Sequence, residues 1–85
     1  MIKFNYTIND EAGLHARPAG ILVKRMQQFT CDVKVTRGEK TVDAKKMFAL
    51  MGLGVRSGET ITISAEGIDE QDAITAVQEV LTKNL

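Results

Sequence analysis

What constrains this chain most is how often its hydrophobic period changes. A strand repeats every two residues and an α-helix every 3.6 or so, and each period commits a segment to burying one face. Over residues 1–8, Ile2, Phe4, Tyr6 and Ile8 alternate with Lys3, Asn5 and Thr7, which predicts a half-buried strand. From residue 16 to about 29 the period turns helical. Ala19, Leu22, Val23, Met26 and Phe29 share one face, and Lys24, Arg25, Gln27 and Gln28 take the other. Residues 32–36 alternate again, Arg37-Gly38-Glu39 has turn chemistry, and residues 40–43 return, so a β-hairpin is expected. Residues 60–65 form a further strand with Ile61, Ile63 and Ala65 on one side. Ala73, Ile74, Val77, Val80 and Leu81 then mark a last helical stripe. Asp69 is the expected N-cap of that helix, Asp72 stands at its third position, and Ile68 is placed to staple onto Ala73.

Between the hairpin and the last strand lies a short, very apolar run over residues 46–53, holding Met47, Phe48, Leu50, Met51 and Leu53. Gly54 suits the left-handed residue that follows a helix end. So many large side chains on about two turns exceed what one buried face needs. Leu50 and Leu53 are assigned to the core, and some of the rest are expected at the surface, where methionine-rich patches bind partners. The order strand, helix, strand, strand, short helix, strand, helix predicts an α+β architecture. This is a two-layer open-faced β-sandwich, a four-stranded antiparallel sheet with helices packed on one face.

The bulk numbers narrow the function. The 85 residues suit a single domain spanning residues 1–85, too small to hide a deep cleft. Eleven basic residues balance eleven acidic ones, so no global charge draws the chain to nucleic acid or a membrane, and recognition must rest on a local patch. Four aromatics offer no stacking platform for RNA. Cys31 stands alone, and one cysteine with one histidine is too few for a protein-only metal site; no metal or cofactor is expected. No signal-peptide pattern or bilayer-length apolar run is present, which predicts a soluble cytoplasmic protein.

The chemistry concentrates in Gly13-Leu14-His15-Ala16-Arg17-Pro18-Ala19-Gly20, which holds the only histidine and the only proline. Pro18 is tolerated in the first turn of a helix, so His15 falls at a helix N-terminus. There the N–H groups of Ala16 and Arg17 lack intrahelical partners and the dipole presents partial positive charge, a ready anion site. Arg17 adds a cation with several donors suited to phosphate. Positive surroundings favour the neutral imidazole, whose lone pair can act as a nucleophile.

The element order and the motif together resemble HPr, the histidine-containing phosphocarrier family of the bacterial phosphoenolpyruvate:sugar phosphotransferase system. The resemblance covers essentially the whole chain and rests on "GLHARPAG", "DAKKMFALMGLGVRSG" and "ITISAEGIDEQDA". It implies that His15 accepts a phosphoryl group on Nδ1 from phospho-enzyme I and passes it to enzyme IIA domains. Ala16 and Arg17 would bind the phosphate, and Met47, Phe48 and Met51 would match the apolar docking surface beside it. Lys24 and Lys46 join them as docking residues, and Lys46, Lys45, Lys24 and Arg17 together would steer acidic partners. The chain would be a monomeric, stoichiometric carrier rather than an enzyme.

Two positions depart from the family pattern. Many members of Gram-positive type carry a kinase-phosphorylated serine where this chain has Lys46, and a serine or threonine where it has Gly52. A related regulatory group loses the histidine and keeps the serine; this sequence does the reverse. The alternative reading is a docking or regulatory module that binds the same partners without serving sugar transport.

Overall fold

The computed structural model describes residues 1–85. Its elements are β1 (Ile2–Thr7), α1 (Ala16–Met26), β2 (Asp32–Arg37), β3 (Lys40–Asp43), α2 (Met47–Met51), β4 (Thr60–Glu66) and α3 (Glu70–Asn84). The strands form one sheet in the order β1-β4-β2-β3, every neighbour antiparallel. The architecture is therefore the open-faced sandwich that the changes of period imply.

Register explains why the two faces differ. Phe4 pairs with Ile63, Ile63 with Val35, and Val35 with Val42, so one apolar row crosses all the strands beneath the helices. The adjacent row is Asn5, Thr62, Thr36 and Thr41, and it faces the other way. Its side chains satisfy one another across the strands, with Thr62 donating to Asn5 at 2.8 Å and the Thr36 and Thr41 hydroxyls 2.8 Å apart. A one-residue slip would exchange the two rows and put the hydroxyls in the core, which is what fixes the register. The core comprises 23 buried residues, drawn from the inner sheet face, α1, α3 and the segments around α2, and no polar or charged side chain is buried in it. Tyr6 carries its hydroxyl to the edge of this layer and donates to the Leu81 carbonyl at 3.1 Å, tying β1 to the end of α3.

Three local expectations are corrected. Helix α1 stops at Met26, and Phe29 follows in a turn in which its N–H donates to the Met26 carbonyl at 3.1 Å. Asp69 precedes α3 as expected but does not cap it through its side chain. Its backbone, at φ −107° and ψ 26°, is not extended as a capping residue requires. The carboxylate instead accepts the N–H groups of Thr30 and Cys31, both at 2.9 Å, and clips the α1–β2 loop to the start of α3. The Thr30 N–H bond, helped by the Cys31 contacts, lowers its carboxyl from the usual 3.8 to about 2. Ile68 is 98% exposed, so no staple onto Ala73 forms. Gly67 beside it is required: at φ +149°, a Cβ there would lie 2.6 Å from the Cys31 Cβ.

Candidate functional site

The loop that carries His15 is fastened before the helix begins. Gly13 sits at φ +68°, a left-handed conformation that costs other residues energy, and a Cβ on it would meet the Val55 carbonyl oxygen at 2.4 Å. The next residue, Leu14, donates its N–H to that same carbonyl at 3.0 Å and is itself buried. The chain thus enters α1 pressed against the segment between α2 and β4. His15 follows in an extended N-cap conformation, φ −92° and ψ −179°, and its carbonyl accepts the Ala19 N–H at 3.0 Å. Pro18 occupies the third helical position, where its missing N–H leaves no bond unmade.

The imidazole itself makes one side-chain contact. Its Nε2 lies 3.4 Å from Asp10 Oδ2, leaving Nδ1 without a protein partner. The ring is 40% exposed. The N–H groups of Ala16 and Arg17 donate to no protein acceptor, and the Arg17 guanidinium is exposed and makes no ion pair. A free ring nitrogen, two free backbone donors and a free guanidinium therefore share one helix end, as the motif implies. Asp10 was not legible as part of the site. Its Oδ1 accepts the Ala12 N–H at 2.9 Å and its carbonyl accepts the Gly13 N–H at 2.9 Å, so it folds the loop back on itself and brings Oδ2 to the imidazole. The Ala12 N–H, and after it His15, hold the Asp10 carboxyl below its usual range. An aspartate that precedes a turn is a common sequence feature, and nothing in its spacing from His15 marks it out.

Helix α2 lies against α1 beside this end. The two helices meet at Gly20, where a Cβ would stand 3.9 Å from the Met47 methyl, an ordinary van der Waals contact. Arg17, Gly20 and Lys24 lie on one stripe of α1 at i, i+3 and i+7, and Gln27 continues it by donating to the Lys45 carbonyl at 3.1 Å. Phe48 is 93% exposed, the most exposed aromatic position the fold offers. Met47 and Met51 are half-buried and pack partly against the core, so they flank Phe48 rather than match its exposure. Lys46 takes the extended N-cap position of α2 and its side chain caps nothing. Lys24 and Lys46 are exposed and unpaired, whereas Lys45 donates to the Phe29 carbonyl at 2.6 Å and is a loop tie, not a free cation. Ile21, an apolar residue off the buried stripe of α1, is 38% exposed on that helix.

Comparison with known proteins defines the class first. Solved structures of this architecture include a histidine-containing phosphocarrier protein from Mycoplasma, 34% identical, covering 96% of this chain and 93% of that one with a TM-score of 0.94. They also include HPr-C-His from Thermoanaerobacter tengcongensis, 36% identical over 96% and 92% of the two chains with a TM-score of 0.92. A phosphocarrier protein HPr from Bacillus anthracis is 31% identical over 94% and 95%, with a TM-score of 0.87. The family model described as the phosphotransferase-system HPr component phosphorylation site matches residues 2–83, and the chain belongs to that family. No helix is long and apolar enough to cross a membrane.

Proposed function

We propose that this protein is a phosphoryl carrier that accepts its cargo on His15 from phospho-enzyme I and hands it to enzyme IIA domains for sugar uptake. The observation that carries the reading is the helix end itself: Nδ1 of His15 has no protein partner and stands where the Ala16 and Arg17 N–H groups are unused. A phosphoryl group on Nδ1 would meet two backbone donors, the positive end of an 11-residue helix and the Arg17 guanidinium. In the transfer, the Nδ1 lone pair forms the N–P bond while the bond from phosphorus to the donor breaks and its electron pair stays with the donor. Discharge reverses this, the N–P pair returning to Nδ1 as the acceptor's nucleophile takes phosphorus. Positioning and charge do the chemical work, and the protein is consumed and regenerated as a stoichiometric intermediate.

Phe48, flanked by Met47 and Met51, forms the docking surface in this reading, with Lys24 and Lys46 as the free cations that steer acidic partners. The site is open surface, as a group passed between two large partners requires. The carrier acts as a cytoplasmic monomer. With Lys46 at the start of α2, no hydroxyl is offered there to a kinase, so regulation through a phosphoserine at that helix end is not part of the function.

Incubation with phosphoenolpyruvate and enzyme I tests the reading. The protein is expected to gain one acid-labile phosphoryl group, and His15→Ala to gain none; labelling retained in His15→Ala would overturn the assignment.

A further inference from the structure

We propose that Asp10 is a positioning residue that decides which nitrogen of His15 takes the phosphoryl group. The inference rests on the reading of His15 as the acceptor and adds to it the means by which the ring is oriented. Asp10 uses its two carboxylate oxygens differently. Oδ1 accepts the Ala12 N–H at 2.9 Å and so is committed to the loop, while Oδ2 faces His15 Nε2 at 3.4 Å. A carboxylate only accepts hydrogen bonds, so the ring nitrogen facing it must carry the proton. The neutral imidazole is thereby held with its proton on Nε2 and its lone pair on Nδ1, the nitrogen that has no protein partner.

The same contact serves the transfer. When Nδ1 attacks phosphorus the Nε2 proton stays where it is, and the ring gains one positive charge beside the Asp10 carboxylate. The 3.4 Å separation is long for the resting state, and such contacts tighten when charge develops. The loop keeps Asp10 in place through three bonds: Ala12 N–H to Oδ1, Gly13 N–H to the Asp10 carbonyl, and Leu14 N–H to Val55. The other charges near this end are Glu11 on the loop and Arg17 on α1, close in sequence, and Arg56 on the segment packed against Gly13; all three are exposed, and none bonds the imidazole.

Asp10→Asn separates this role from a merely structural one. Asparagine keeps an oxygen for the Ala12 N–H and so keeps the turn. It then presents an NH₂ group, a donor, to Nε2, and the reversed amide would set two donors against each other at Ala12. The proton should leave Nε2 for Nδ1, and the lone pair should move to the wrong nitrogen. ¹⁵N NMR of the imidazole in the unphosphorylated protein, at a pH where the ring is neutral, reads this directly. The wild type is expected to show the unprotonated nitrogen at Nδ1, and Asp10→Asn to move population to the other tautomer with its loop amide signals in place. Asp10→Ala is expected to fall between them. Phosphoryl acceptance from phospho-enzyme I should slow several-fold in Asp10→Asn. An identical tautomer in the wild type and both variants overturns the proposal. Because the tautomer is measured without phosphate, failure of His15 to be phosphorylated in the wild type would strike the functional reading and leave the assignment of Asp10 to be judged on the ring.

Discussion

Replacing Gly13 by alanine tests whether the site depends on the loop being pressed against the segment after α2. Two costs apply. An L-residue held at φ +68° loses about 1–2 kcal/mol relative to glycine. The new Cβ also falls 2.4 Å from the Val55 carbonyl oxygen and 2.8 Å from the Arg56 Cα, and both are backbone atoms that cannot swing aside. Relieving that overlap shifts the loop, strains packing by roughly 1–3 kcal/mol, and weakens the Leu14–Val55 hydrogen bond by about 1 kcal/mol. The expected loss is about 3–6 kcal/mol, a large share of the roughly 5–15 kcal/mol that holds a domain folded. Gly38 supplies the control, because it sits at φ +59° with nothing within 4 Å of a Cβ, so alanine there should cost only the conformational part, about 1–2 kcal/mol. Urea denaturation followed by far-ultraviolet circular dichroism measures both. The difference corresponds to a melting temperature lower by roughly 10 °C or more in Gly13→Ala. Equal losses in the two variants would refute the argument that close backbone contact at Gly13 positions His15.

Other consequences follow from single residues. Phe48→Ala should leave stability within about 0.5 kcal/mol because the ring buries almost nothing, yet weaken enzyme I binding by roughly 1–3 kcal/mol in calorimetry; unfolding with no separate binding effect would return Phe48 to the core. Arg17→Ala should slow phosphoryl transfer by an amount equivalent to roughly 1.5–3 kcal/mol while its urea midpoint stays put; a normal transfer rate would remove Arg17 from the phosphate site. Asp69, lowered from 3.8 in the unfolded chain to about 2 in the fold, contributes stability that is present above pH 4 or so and is lost as pH falls toward about 2. Asp69→Asn should therefore flatten the acid limb of the stability profile between those limits, and an unchanged limb would dismiss the clip to Thr30 and Cys31.

The fold was legible because the register and the period carry the same information. Phe4, Ile63, Val35 and Val42 are alternating apolar residues in the sequence and one continuous row in the sheet, so the sandwich follows from pattern alone. His15, Ala16 and Arg17 were legible for a different reason: Pro18 fixes where the helix starts, and the unused donors follow from helix geometry. What was not legible depends on where side chains turn in three dimensions. Asp69 has the chemistry of a cap and the position of a cap, but the α1–β2 loop offers it two N–H groups from 38 and 39 residues away. Ile68 fits a staple by spacing and points to solvent. Lys45 looked like a free cation and is tied to a carbonyl. Asp10 entered the site through a turn whose direction no short-range rule supplies.

The central claim is that His15 carries a phosphoryl group onward, and forward transfer in a single turnover tests it most directly. The protein would be phosphorylated with phosphoenolpyruvate and enzyme I, separated from both, and mixed with an enzyme IIA domain, with intact-mass spectrometry following each partner. The account predicts that the phosphoryl group leaves His15 and appears on the acceptor in equal amount. Phosphorylated protein that binds the acceptor and keeps its phosphoryl group would contradict the carrier reading and favour a docking module instead.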